Sequence, residues 1–263
     1  MHRRWVAASL LGKIVALAIF SFCPTLAVLC FVAPDLWLLY QLLLPSAQGL
    51  GPTYVRFATP RREVWLTIDD GPDERDTPRL LDLLDRHGAR ATFFLIGEKA
   101  LRQPEAVREI ERRGHEVAHH THTHPRFSFW CAGPQRVRAE LEQGLAALAR
   151  GGARPHRFRP PVGIKNFFLQ AALAEHHLDC VAWSVRAFDC ADGRRAAAVA
   201  ARVLRRIHPG AIILMHEGPS VPEAVRVEAI ARVLEGLTAQ GYTCVVPGAE
   251  ALRRPGGCSA KIT

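Results

Sequence analysis

From Glu63 onward the chain alternates short apolar runs with longer amphipathic ones, and this alternation constrains the fold more than any other feature. "EVWLTI" (63–68), "ATFFLIG" (91–97), "EVAHH" (116–120), "DCVAWSV" (179–185), "AIILMH" (211–216) and "YTCVV" (242–246) read as strands, and "RFRPPVG" (157–163) as a strand end. Between them, "TPRLLDLLDRHG" (77–88), "PEAVREIERRG" (104–114), "PQRVRAELEQGLAALARGG" (134–152), "FFLQAALAEHH" (167–177), "GRRAAAVAARVLRRI" (193–207) and "PEAVRVEAIARVLEGLTAQG" (222–241) carry helical periodicity. Thr77 is the expected N-cap of the first of these helices, with Pro78 at its first position and Gly88 closing it. Strands that alternate with helices in this way build a parallel sheet, open or closed into a barrel. In a barrel the chemistry gathers where strands run into loops at the C-terminal edge, and every polar cluster discussed below falls at such an edge.

The N-terminus follows a different rule. Ile14–Ala33 is an uncharged run of the length needed to cross a bilayer, with Pro24 inside it and Arg3, Arg4 and Lys13 before it. A second apolar run, "LWLLYQLLLP" (36–45), is short for a span, and Trp37 and Tyr40 suit an interface. A cleaved signal peptide and a two-span hairpin are alternatives. The favoured reading is a retained anchor over residues 1–45 in a bacterial cytoplasmic membrane, with a soluble domain over 46–263 on the extracytoplasmic side.

The formal charge is +9, carried mostly by arginines interleaved with acids. No basic strip with interleaved aromatics is present, so no nucleic-acid partner is expected. The seven cysteines form no C-x-x-C pair. Cys180 and Cys190 are near enough in sequence for a disulfide, but spacing alone does not establish one.

Four strand ends carry candidate chemistry. Asp69 and Asp70 sit at the end of the first strand, where neighbours point to opposite faces; both reach one site only if the chain bends, and Gly71-Pro72 supplies a bend. The same pair also reads as a plain turn opening the next helix. Five of the twelve histidines crowd into "HEVAHHTHTHP" (115–125), where His120 and His124 share a face. Two histidines and a carboxylate suit Zn²⁺ or another transition metal with open positions for water. Arg159-Pro160-Pro161-Val162-Gly163 holds an arginine on rigid prolines, apt for orienting a carboxylate. His216 ends a late strand after Leu214.

"TIDDGP", "HTHTH" read as H-[ST]-x-x-H, "RPPVG", "WSVRAFD" and "LMH" occur in the order found in NodB-type polysaccharide deacetylases, carbohydrate esterase family 4, and the resemblance spans about Val64 to Val246. It implies a distorted (β/α)7 barrel and metal-dependent removal of acyl groups from sugars. On that resemblance Asp70, His120 and His124 are metal ligands, Asp69 is the base toward the attacking water, Arg159 holds Asp69, His216 protonates the leaving amine, and Asp189 orients His216. Pro160, Pro161, Val162, Gly163, Arg186 and Leu214 fall in substrate-binding positions. The cofactor implied is a divalent metal, Zn²⁺ first, with Co²⁺, Ni²⁺ or Mn²⁺ able to accept the same ligands. The chain departs from the family's pattern in three ways. Val162 stands where a Tyr is common. The D-x-x-D-W stretch reads Arg186-Ala-Phe-Asp189-Cys190, so that Arg186 is available to an anionic substrate group. His119 replaces a frequent Asn, and His115, His119 and His122 are read as supporting or surface residues. The substrate expected is an N-acylated carbohydrate or glycolipid of the cell envelope. Lipid-linked aminosugar deformylation, O-deacetylation, a metal-dependent phosphoesterase and a catalytically silent glycan-binding relative are the competing readings.

Overall fold

A computed structural model describes residues 2–191 and 195–253; Cys258, the tail of the expected 46–263 domain and the start of the helix at Gly193 lie outside the described residues. The first departure from the sequence reading is at the N-terminus. The uncharged run does not make one helix: α1 (His2–Ile19) stops, residues 20–23 turn, and α2 (Pro24–Leu43) begins with Pro24 in its first turn. A proline has no N–H to give a preceding turn but fits the first turn of a new helix, so it starts α2 instead of kinking a single span. The second apolar run is the continuation of α2. The two helices pack antiparallel, with Trp5 Nε1 donating to the Pro34 carbonyl at 3.2 Å and Lys13 Nζ 3.2 Å from Asp35 Oδ2. Among the described residues α2 is the one helix long and apolar enough to cross a membrane, displacing the expected 14–33 span.

After the hairpin come β1 (Arg56–Phe57), β2 (Glu63–Gly71), α3 (Asp76–Arg86), β3 (Ala91–Leu95), α4 (Gly97–Arg102), α5 (Pro104–Arg112), β4 (Glu116–His119), α6 (Pro134–Arg150), β5 (Arg157–Phe158) and α7 (Leu169–Glu175). They are followed by β6 (Asp179–Cys180), β7 (Val185–Arg186), α8 (Ala196–Leu204), β8 (Ile212–His216), α9 (Arg226–Ala239), β9 (Thr243–Cys244) and β10 (Leu252–Arg253). Seven strands pair in parallel in the order β6-β5-β4-β3-β2-β8-β7, with β9 on the start of β2 and β1 antiparallel to β10. "DCVAWSV" is thus two strands at opposite ends of the sheet. Residues 54–57 bridge the opening between those ends: Tyr54 N–H donates to Cys180 O at 2.8 Å, Ala182 N–H to Tyr54 O at 2.7 Å, and Phe57 N–H to Gly210 O at 3.0 Å. The result is the distorted seven-stranded (β/α) barrel that the family resemblance implies.

Alternation along β2 sorts its side chains into two layers. Val64, Leu66 and Ile68 pack outward with Leu80, Leu81 and Leu84 of α3 and Ile230, Val233 and Leu234 of α9. Trp65 points inward among Phe94, Ala118 and Ile212. Thr67 and Asp69 continue that inward row and are buried. The expected cap at Thr77 is not formed. Asp73 Oδ1 instead accepts the amides of Arg75 and Asp76 at 3.0 and 2.9 Å, while the Thr77 hydroxyl donates to Glu217 Oε2 at 2.6 Å.

Candidate active site

The two carboxylates reach one site by a bulge at Asp70. Asp69 pairs in register with Phe94, but Gly71 pairs with the next residue, Leu95, so Asp70 is the extra residue of a β-bulge. Its φ of 73° lies in the left-handed region, where few residues other than glycine settle. The bend therefore begins one residue earlier than Gly71-Pro72, and it turns Asp70 toward the side that Asp69 already faces.

His120 follows β4 directly, and the loop after it carries two left-handed residues, Thr121 (φ 63°) and His124 (φ 55°), which curl His124 back over His120 with ring centroids 4.8 Å apart. Glu140 on α6 braces that loop, accepting the amides of His122 and Thr123, each at 2.9 Å, and the Thr123 hydroxyl at 2.6 Å. His120 Nδ1 lies 2.7 Å from the Arg159 carbonyl, which selects the tautomer with hydrogen on Nδ1 and leaves Nε2 as a lone-pair donor. His120 Nε2 and His124 Nε2 stand 3.5 and 3.4 Å from Asp70 Oδ1.

Burial opposes the charged form of both Asp70 and His124, with opposite outcomes. For Asp70 the desolvation is outweighed by His120, His216 and His124, and its carboxyl stays well below the ordinary carboxylate range. For His124, burial and the neighbouring His120 push the pKa down to about 4, leaving a neutral imidazole at pH 7. One carboxylate and two imidazoles, with donor atoms within 4.8 Å of one another, match what a divalent cation takes. Asp70 Oδ1 is buried and has no hydrogen-bond partner, and such an orphaned acceptor fits a cation at this point.

On one flank, Arg159 is fully buried and donates to Asp69 Oδ1 at 2.6 Å and to Thr67 Oγ1 at 2.8 Å; the Val181 and Ala182 carbonyls hold its other nitrogens. That leaves Asp69 Oδ2 facing the cluster, 3.8 Å from His120 Nε2. On the other flank, His216, paired in register with Asp69, sets Nδ1 2.8 Å from Asp189 Oδ1, and its amide donates to Asp189 Oδ2 at 2.8 Å. Burial lowers the His216 pKa, but the Asp189 carboxylate more than offsets this and holds it well above the ordinary histidine value.

A cavity of about 160 Å³ joins these groups, lined by Asp69, Asp70, His120, His124 and His216 together with Val162, Gly163, Arg186 and Leu214. Pro160 and Pro161 stand behind it and shape the turn that places Val162, left-handed at φ 52°, at the rim. Gly163 has φ 75°, and a Cβ there would meet the Trp183 ring at 2.3 Å. The lining also includes Arg126, Trp183, Cys190 and Ser220, which the sequence reading did not single out. Arg126 lies two residues beyond His124 of the "HTHTH" motif, and Trp183 opens the "WSVRAFD" motif, though neither was assigned a role from it. A larger, shallow groove of about 980 Å³ along α3 and α5 contains none of the cluster residues.

The remaining histidines fall away from the cavity. His119 is buried behind it, bonded to Leu141 O at 2.9 Å and accepting the Thr121 amide at 2.9 Å; His115 is buried at the far end of β4, against Phe93. His122 is half-buried beside Gly97. The described cysteines are free thiols, Cys180 buried and Cys190 exposed, so the 180–190 disulfide is not formed.

Comparison with known proteins agrees with this geometry. A family model described as polysaccharide deacetylase matches residues 57–181. A chitooligosaccharide deacetylase of Bradyrhizobium sp. (strain ANU 289) is 41% identical over 161 residues, 60% of this chain and 71% of its own length. A peptidoglycan-N-acetylglucosamine deacetylase of Bacillus cereus is 32% identical over 201 residues, 74% of this chain and 92% of its own. Among solved structures, a family 4 carbohydrate esterase from Streptomyces lividans, in complex with acetate, superposes with a TM-score of 0.64 at 32% identity, covering 72% of this chain and 95% of that one. The chain belongs to the NodB-type polysaccharide deacetylases of carbohydrate esterase family 4.

Proposed function

We propose that this enzyme is a metal-dependent hydrolase that removes N-acetyl groups from a carbohydrate of the cell envelope. The observation that carries the reading is one small cavity holding an Asp–His–His donor set between two oriented acid–base pairs. Asp70, His120 and His124 would hold the divalent ion. Bound there, such an ion lowers the pKa of water and polarises a carbonyl.

The chain's own groups divide the remaining work. Asp69, fixed at Oδ1 by Arg159, offers Oδ2 to take a proton from the attacking water. The Val162 amide, which has no hydrogen-bond partner among the described residues, sits on the rim turn as a donor for the developing oxyanion; Gly163 N–H is already given to Pro160 O at 3.0 Å. His216, charged through Asp189, gives its Nε2 proton to the departing nitrogen. An amine leaves only once protonated, so a histidine held in its acid form suits amide over ester hydrolysis. The apolar hairpin would keep the enzyme at a membrane.

The test is release of free amine from N-acetylglucosamine oligomers by the metal-loaded protein. Asp69→Asn is expected to cost on the order of 10²–10⁴ in kcat while leaving the metal content at the wild-type level. Equal activity in the two proteins refutes the role given to Asp69.

A further inference from the structure

The hairpin does not hang free of the catalytic domain; it is fastened to the rim of the cavity. Lys165, buried two residues beyond Gly163, gives its backbone amide to Leu42 O at 2.9 Å and its ammonium to the Pro45 and Ala47 carbonyls, where the chain leaves α2. Trp5 of α1 packs edge-on against Phe167 with centroids 5.5 Å apart. Asn166, between them, donates to the carbonyls of Phe129 and Ala132 at 2.7 and 2.8 Å, clasping the loop that follows the histidines. That loop turns hydrocarbon outward: Phe127 is 81% exposed and Trp130 is 46% exposed, and the Arg126 guanidinium lies over the Phe127 ring at 4.8 Å.

The apolar faces of the hairpin, the Phe127–Trp130 loop and the cavity mouth are therefore joined through one short segment, residues 163–168. Aromatic rings beside arginines are what a bilayer interface accepts, because the rings sit at headgroup depth and the guanidinium stays with phosphates. Within the mouth, Arg186 is stacked between the Trp183 and Phe188 rings at 5.6 and 4.7 Å, and its buried Nε has no hydrogen-bond partner. Among the described residues neither Arg186 nor Arg126 has a carboxylate partner, yet both line the cavity. An unpaired guanidinium at a site mouth matches an incoming anion.

We propose that the substrate is a membrane-borne sugar whose N-acylated head is joined to lipid through an anionic phosphodiester. The hairpin and the Phe127–Trp130 loop rest in the bilayer interface, and Arg186, assisted by Arg126, receives the phosphodiester. This rests on the deacylase reading above for its chemistry, while the membrane contact and the anion preference are separate claims.

The experiment uses the full-length, metal-loaded chain in lipid nanodiscs. Four substrates are compared: N-acetylglucosamine joined by a phosphodiester to a long alkyl alcohol, the neutral long-alkyl N-acetylglucosaminide, soluble N-acetylglucosamine 1-phosphate, and an N-acetylglucosamine oligomer. The charged amphiphile should give the highest kcat/KM, and Arg186→Gln should lower the ratio of charged to neutral amphiphile about tenfold, the value of one charge-assisted contact. In parallel, brominated lipids should quench the fluorescence difference between wild type and Trp130→Phe. Equal use of the oligomer and the charged amphiphile, or an unchanged ratio in Arg186→Gln, overturns the substrate claim and leaves the deacylase reading standing. A preference for the soluble sugar phosphate assigns Arg186 to a free anion and overturns the lipid claim. No hydrolysis of any of the four overturns the deacylase reading, and an unquenched Trp130 signal overturns the membrane face independently.

Discussion

The cavity and the hairpin break the usual rule of burial in opposite directions. In the cavity, charged and polar groups that normally stay in water are buried: Asp69, Asp70, His120, Arg159 and Asp189. On the hairpin, side chains that normally hide are exposed, from Leu10 and Leu11 through Phe22, at 89%, to Leu36 and Leu43. Each inversion is costly in isolation and tolerable only with a compensating partner. Inside the barrel the partners are present and short-range, carboxylate to guanidinium and carboxylate to imidazole. The exception is Asp70 Oδ1, where the missing partner has the character of a cation. Outside, no partner covers the exposed hydrocarbon among the described residues, and the proposed one is a bilayer. In both regions the unmet interaction is the more informative one, because it describes what has yet to bind.

Removing a donor from the cavity puts this contrast under the greatest strain. His120→Ala is expected to lose its divalent ion on dialysis and to lower hydrolysis on the order of a thousandfold, measured by metal analysis alongside amine release. Retained metal with normal turnover would mean that the orphaned Asp70 oxygen has another purpose. A smaller effect is expected on the opposite flank. Asp189 raises the His216 pKa, and the proposed mechanism uses the acid form of His216. Asp189→Asn therefore lowers that pKa, and the alkaline limb of the kcat profile should move to lower pH, with turnover reduced roughly ten- to hundredfold. An unmoved limb would detach His216 from that limb.

The smallest effect lies at the far end of β4. Burial lowers the His115 pKa from 6.5 to about 4, so the folded state keeps it neutral while the unfolded chain takes up a proton first. Stability contributed by this residue is complete above pH 6.5 and declines as pH falls toward 4, by on the order of 1 kcal/mol. Urea midpoints across that range should fall in the wild type and fall less steeply in His115→Gln, because His119 and His124, also lowered by burial to about 4, titrate over the same range. An identical slope in both proteins would place the titration elsewhere.

Much of this was legible in the sequence, and the exceptions share a cause. The strand–helix alternation pointed to a parallel sheet, open or closed, because a two-residue period and a 3.6-residue period are visible in the order of the residues; the barrel itself came from the family resemblance. The residues of the Asp–His–His set, Arg159 and His216 were marked by their strand-end positions, and the structure brings them around one cavity. How Asp69 and Asp70 come to face the same way was not legible: a bulge is a matter of register, and register is set by β3, far along the chain. The break at Pro24 is local, but its consequence, two packed helices instead of one continuous helix over 14–33, depends on α1 finding α2. "DCVAWSV" looked like one strand because its seven apolar-rich residues do not reveal that the barrel opens between them. Glu140 and Arg126 were not legible, nor was the place of Trp183 on the cavity wall, because their roles depend on loops folding back.

The presence of a metal between the two acid–base pairs is tested most directly by a crystal of the protein grown with Zn²⁺ and measured at the zinc absorption edge. A single strong anomalous peak is expected about 2.0–2.2 Å from Asp70 Oδ1, His120 Nε2 and His124 Nε2. A peak instead at Asp189, Cys190 and His216, the other cluster whose donor atoms lie close enough together, or no peak in the cavity at all, would contradict it.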